Sequence, residues 1–303
     1  MLESWWQRIK PDLVVTMLPM NVHFAFTLPT PTPTLFALEE GIFPRGNLVT
    51  EITNPFRRRW RALLTARRQQ QVQHLTQRIA AHGGLITVIS AQEKAELAHS
   101  LPGERITVVP HGIDCTYFAP TPVEETFDIG IFGALNVERN ARPALALFRY
   151  LQQQPWARRL RWAFVGARPT AEVQALAGEH VQVTGFVDDM RPWYSRAKLV
   201  VVPTDSGTGV KTTLLQAWAM GRPVVASAFS TIGLPIRQGE NILVGATVAE
   251  LAAHIHTLLD NPALRHTLAM QGRATAEHER DIRVIAQQFV AVCDQALERT
   301  APS

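Results

Sequence analysis

Only two cysteines occur in 303 residues, Cys115 and Cys293, far apart and without metal-ligand spacing. Such a pair builds no disulfide framework and no thiolate metal cluster, and a reducing cytoplasm is the compartment it fits. Long apolar runs are missing as well. None approaches the roughly 20 residues that a membrane-spanning helix needs, and the stretch 13–18 is too short for a secretion signal and has no basic lead. Tandem repeats are absent, and the one low-complexity tract, Pro29-Thr-Pro-Thr-Pro33, must be extended loop. The excess of one charge sign over the other is small too: the net is +4, and no recognition motif for nucleic acid accompanies it.

What is present fits a globular α/β chain. A hydrophobic content of 46% suffices for sizeable cores, and the length suggests two domains. Strand and helix alternate, the pattern of parallel sheets covered by helices. In the first part, strands are expected near 13–16, 85–89 and 106–109, with a long helix over 57–82. A proline-rich, charged stretch at 119–126 marks the boundary. Beyond it, strands are expected at 128–132, 161–165, 181–184, 199–202, 223–226 and 242–244. Asn140 and Thr170 are candidate helix caps, and helices at 248–259, 262–277 and 282–299 close the chain.

The segment VVVPTDSGTGVKTTLLQAWAMGRPVVAS, 200–227, carries the most chemistry. It reads as strand, loop, amphipathic helix and second strand, with Leu214, Leu215, Trp218 and Ala219 on the packing face and Gly221 as the stop. Gly207 and Gly209 let the backbone approach a ligand. The free N–H groups of Val210, Lys211, Thr212 and Thr213 would point outward at the helix start, where the dipole favours an anion. Lys211 adds a full positive charge there, so phosphate or diphosphate is the preferred ligand. The competing reading is an ordinary strand-to-helix turn with a solvated lysine.

Several segments in order decide between these. VQVTGFVDDMRPWYSRA (181–197), GTGVKTTLLQAWAMGRPVVAS (207–227) and IGLPIRQGENILV (232–244) resemble the carboxy-terminal domain of the group-1 (family 4) glycosyltransferases of GT-B fold. VISAQEKAEL (88–97) and ITVVPHGIDCTYF (106–118) resemble stretches at the end of that family's first domain. The resemblance covers about 85–273 and is nearest to bacterial exopolysaccharide sugar transferases. It implies two Rossmann-like domains: a partial acceptor-side domain at 1–122, a nucleotide-sugar domain at 123–279, and a C-terminal helix at 280–303 that crosses back to the first. It also implies retaining transfer of a sugar from a nucleotide diphosphate sugar, without a metal or other cofactor, to a glycan or lipid-linked acceptor.

Carried over residue by residue, the resemblance places Gly133, Arg139, Gly209, Val210, Lys211, Thr212 and Thr213 on the sugar and diphosphate. It places Phe186, Val187 and Gln216 on the nucleoside. No catalytic nucleophile is nominated. This chain also departs from the family's pattern. Thr208 and Gln216 stand where many members carry a Glu-x7-Glu pair, although an amide can still bond a ribose. The chain opens on an amphipathic turn and Pro11-Asp-Leu-Val-Val15, which reads like a middle strand, so the first domain is expected to be incomplete. A misplaced start, a decayed gene or a partner chain supplying strands would each account for that. The segment 34–40 offers Glu39 and Glu40 where the family often has a histidine. His111 reads as a turn former, and His23 as a packed histidine.

Arg57, Arg58, Arg59, Trp60 and Arg61 open a basic, aromatic-studded helix. It can rest on an anionic membrane surface or be an amphipathic helix with a solvated face; nucleic acid is the least favoured partner. The protein is expected in the cytoplasm, at the inner face of the membrane if that helix binds lipid. The contrasting readings are a catalytically inactive nucleotide-binding relative or scaffold subunit, and a sugar epimerase of similar fold.

Overall fold

The computed structural model describes residues 8–18, 21–27, 32–38, 67, 70–71, 73–206 and 210–299. The chain divides into two compact units, one within Met1–Pro110 and Ile285–Ser303, the other His111–Ser206 with Val210–Val284. Both are parallel α/β units. No described helix is long and apolar enough to cross a membrane. Arg57, Arg58, Arg59, Trp60 and Arg61 lie outside the described residues, as do Glu39 and Glu40.

In the first unit β1 (Val14–Met17), β2 (Thr34–Leu38), β3 (Leu85–Val88) and β4 (Ile106–Val108) form a parallel sheet in chain order. The sequence reading contains no strand at β2. All five of its residues are buried, so it shows none of the alternation that marks a half-exposed strand. Its neighbours point to opposite faces, as the two-residue period of a strand requires. Phe36 and Leu38 join Ile79, Ile86 and Val88 in one cluster. Leu35 joins Leu85, Val109 and the Ile285, Val292 and Ala296 face of the C-terminal helix, Ile282–Glu298, in another. Between β3 and β4, α1 (Ala91–Leu97) is capped by Ser90, whose Oγ accepts the Glu93 N–H at 3.2 Å.

The second unit holds β5 (Phe127–Phe132), β6 (Trp162–Val165), β7 (Val181–Val183), β8 (Ala197–Val202), β9 (Val224–Ser227) and β10 (Leu243–Gly245). They form one parallel sheet in the order β10-β9-β8-β5-β6-β7. Its two faces are written into alternate residues. Trp162, Phe164, Leu199, Val201 and Val225 enter one core with α2 (Glu138–Gln152). Ala163, Val165, Val200, Val202, Val224 and Ala226 enter the other, which receives Tyr194 of α3 (Arg191–Arg196) and Leu214, Leu215 and Trp218 of α4 (Thr212–Ala219). Strands covered on both faces are apolar runs, which is how the inner strands could be read from the sequence, whereas β7, at the sheet edge, is half-buried and carries an exposed Gln182.

The helices that close this unit are α5 (Val248–Asp260) and α6 (Pro262–Glu279). Of the two expected caps, Thr170 accepts the Val173 N–H at 3.3 Å. Asn140 does not cap: α2 begins two residues earlier, and the Asn140 side chain donates back to the Ala134 carbonyl at 3.0 Å. An asparagine in the first turn can tie down the incoming loop as readily as it can start a helix.

Candidate functional site

The order of the second sheet creates the site. From β5 the chain builds outward to β7, returns to the other side of β5 to make β8, and builds outward again to β10. The loops leaving the carboxyl ends of β5 and β8 therefore diverge, and ligands of open parallel sheets bind in the crevice at such a reversal. The β8 loop ends at Lys211, the extended N-cap of α4, with φ −83 and ψ 96. No side chain caps this helix. Its first-turn N–H groups, for which an α-helix has no internal acceptors, face outward with the positive end of the dipole.

On the opposite side of the crevice the β5 loop turns at Gly133, whose φ of +129 is open to glycine and strained for other residues. The Gly133 N–H donates to the Val165 carbonyl at 3.0 Å. A Cβ at Gly133 would lie 3.7 Å from Thr213 Cγ2, so α4 and the β5 turn stand against each other. Behind them Ser230, fully buried, donates to the Val202 carbonyl at 2.8 Å and fixes the end of β8.

Charge is concentrated at this point. Arg142 of α2 is spoken for, because it pairs with Asp205 of the β8 loop at 2.7 Å. Arg139 and Lys211 are not: neither makes an ion pair among the described residues. Burial pushes the Lys211 ammonium below the ordinary lysine range, and the positive charge of Arg139 pushes it the same way. The Lys211 Nζ lies 5.5 Å from the centre of the Phe229 ring, a weak compensation. Two like charges without a counter-charge beside an uncapped helix start make a place for a polyanion.

Phe186 and Val187 follow β7, away from this cluster. Phe186 is 75% exposed, whereas Val187 packs on the core. Their loop is pinned by Arg191, which forks onto Asp189 at 2.8 Å and lies 3.9 Å over the Tyr117 ring. That guanidinium holds the Asp189 carboxyl below its usual range. Gln216 sits one helical turn past Thr213 and accepts a hydrogen bond from the Tyr194 hydroxyl at 3.0 Å. The structure thus gathers Gly133, Arg139, Val210, Lys211, Thr212 and Thr213 around one reversal. Gln216 lies just below it, and Phe186 and Val187 lie at the end of another strand. Gly209, with Gly207 and Thr208, lies outside the described residues.

Three participants escaped sequence reasoning: Gly166, Asp205 and Tyr194. Gly166 follows an apolar strand as Gly133 does, a signal that was available. The Arg142–Asp205 pair joins residues 63 positions apart, and nothing in the sequence announces it.

A pair of parallel Rossmann-like units with an anion crevice at the sheet reversal of the second is the architecture of GT-B glycosyltransferases. Residues 126–261 match the family described as glycosyl transferases group 1, and this part of the chain is a domain of that family. D-inositol 3-phosphate glycosyltransferase from Thermobispora bispora is 28% identical over 260 residues. The match takes in 73% of this chain, which spans 59% of the length of that relative. Among solved structures, sucrose-phosphate synthase from Thermosynechococcus elongatus superposes with a TM-score of 0.75 at 18% identity, over 99% of this chain and 77% of the other. Anabaena HepE in complex with UDP-glucose superposes with a TM-score of 0.72 at 16% identity, over 94% and 79%. At these identities the superpositions establish the fold.

Proposed function

We propose that the protein transfers a sugar, with retention of anomeric configuration, from a nucleotide diphosphate sugar to a glycan or lipid-linked acceptor. The observation that carries this reading is the half-buried Lys211 at an uncapped helix start, which, like Arg139 whose charge it feels, makes no ion pair among the described residues. A leaving diphosphate develops charge as the glycosidic bond breaks, and preorganised cations and amides at that position stabilise the transition state more than the ground state. Lys211, Arg139 and the N–H groups of Val210, Lys211, Thr212 and Thr213 take that role, so no metal is required. Gly133 keeps the opposite wall low enough for the diphosphate to enter. Phe186, Val187 and Gln216 flank the nucleoside.

UDP-glucose in a solved structure of the same fold supports a nucleotide sugar as donor. A lipid-linked acceptor would draw the chain to the inner face of the membrane through Arg57, Arg58, Arg59, Trp60 and Arg61. Calorimetry with UDP, GDP and their sugars tests the donor site. Binding that disappears in Lys211→Ala is the expected result, and slow donor hydrolysis in the presence of the active protein is the expected sign of an enzyme. Binding without any hydrolysis or transfer would instead identify a nucleotide-binding relative.

A further inference from the structure

Gln216 has an amide where a carboxylate would accept from a ribose, and the orientation of that amide decides what the crevice can recognise. The neighbouring Tyr194 is buried on all sides, and its ring stacks on Phe132 with centroids 3.8 Å apart and planes at 13°. Phe132 directly precedes the Gly133 turn. The ring is therefore held against the floor of the site, and its hydroxyl has one proton to give. Two acceptors are in range, Gln216 Oε1 at 3.0 Å and the Thr213 carbonyl at 3.4 Å. The Thr213 carbonyl sits in the first turn of α4, where the helix supplies its own donor four residues on.

The nearer acceptor has the better geometry and no other donor, so the proton goes to Gln216. A flipped amide would make Nε2 a donor to the phenolic oxygen and leave the hydroxyl proton only the longer, 3.4 Å contact to the Thr213 carbonyl. Burial pushes the phenol well above the usual tyrosine range, which keeps the proton in place at any working pH. The Gln216 Nε2, on the other side of the amide, has no acceptor among the described residues and is not enclosed.

We infer that Tyr194 is a positioning residue: its hydroxyl fixes the Gln216 side chain with N–H groups toward the crevice, so the ligand atom that meets residue 216 must be a hydrogen-bond acceptor. This rests on a nucleotide occupying the crevice. A ribose hydroxyl meets the requirement by accepting, and so does its methyl ether; a deoxy carbon does not. A carboxylate at the same position would demand the opposite, a donor from the ligand.

The test is a calorimetric series with UDP, its 2′- and 3′-O-methyl ethers and its 2′- and 3′-deoxy forms, on the full chain. At one of the two positions the wild-type protein is expected to bind the methyl ether about tenfold more tightly than the deoxy form, the equivalent of one hydrogen bond. Gln216→Glu is expected to invert that order, because its carboxylate has no proton to offer. Tyr194→Phe keeps the buried ring and is expected to bring the two analogues to parity, with the melting temperature checked alongside. A purely structural role for Tyr194 would weaken all ligands together and leave the ratio unchanged. Equal binding of ether and deoxy forms by the wild type at both positions, or an unchanged ratio in Tyr194→Phe, overturns the inference. Failure of every UDP and GDP ligand to bind overturns the functional reading itself, and this inference with it.

Discussion

Gly166 approaches Gly133 so closely that a methyl group built on it would stand 1.6 Å from the Gly133 carbonyl oxygen. Its φ of +156 adds to the constraint. The turns after β5 and β6 are therefore nested, and the Gly133 side of the anion crevice is positioned by a residue that need not touch a ligand. Gly166→Ala must displace backbone, which no rotamer can relieve. The expected outcome is a loss of about 2–4 kcal/mol in urea unfolding, with nucleotide affinity falling in whatever fraction still folds. Unchanged affinity at unchanged stability would show that the two turns move independently.

Lys211 links binding to pH. Burial and Arg139 lower its folded-state pKa beneath the unfolded value, so the charged form disfavours folding. Stability at this site is fully present above the ordinary lysine pKa and is lost as pH falls through the lowered one. Lys211→Met is therefore expected to stabilise the ligand-free protein at pH 7 by about 1 kcal/mol while abolishing diphosphate binding. A diphosphate in the crevice restores the charged form, so UDP binding in the alkaline range below the ordinary lysine pKa should take up protons. Calorimetry in buffers of different ionisation heats reads that uptake, and it should shrink but persist in Arg139→Ala, because burial is the larger cause of the lowered pKa.

Gly272 of α6 lies against the indole of Trp218, the largest buried residue of α4. A Cβ there would meet Trp218 Cδ1 at 2.5 Å. Trp218 cannot turn away cheaply, because its Nε1 donates to the Asn241 carbonyl at 2.9 Å. Gly272→Ala gains helix propensity on its own, by about 1 kcal/mol, yet is expected to destabilise by about 1–3 kcal/mol through overpacking. A higher melting temperature would mean that the interface between α4 and α6 has slack.

Asp281, buried beside the Ile113 segment, accepts from the Arg283 backbone at 2.9 Å and from its side chain at 2.8 Å. The Arg283 guanidinium is the largest cause that holds its carboxyl far below the ordinary range. A carboxyl with a depressed folded-state pKa stabilises above its unfolded pKa and loses that contribution as pH falls through the folded one. Asp281→Asn is expected to lower stability at pH 7 by about 1–3 kcal/mol and to flatten the decline of stability below pH 4. Cys115 donates to the same carboxylate, and burial pushes its thiol up to about 11. The thiol should stay unmodified by maleimide at pH 7 in the folded wild type and in the folded variant alike, because burial, the largest cause, is unchanged.

The inner strands of the second unit were legible because burial on both faces leaves apolar runs such as Trp162–Val165, 199–202 and 224–226. The same burial hid β2, where Thr34-Leu-Phe-Ala-Leu38 follows a proline-rich loop and carries too few β-branched residues to announce itself. Lys211 could be singled out because a lysine between a strand and a helix start has few structural uses. Asn140 misled because helix caps depend on the backbone angle at one residue, which composition does not fix.

The order of residues alone determined a parallel α/β chain, the location of a basic helix start after β8, and the family likeness of residues 126–261. Only the folded arrangement decided which cations lack ion-pair partners among the described residues, that Gly166 braces Gly133, and that Tyr194 dictates which end of the Gln216 amide is offered. Periodicity and turn chemistry are local and survive in a string of letters. Pairings such as Arg142 with Asp205, 63 residues apart, exist only after the sheet has reversed and brought two loops together.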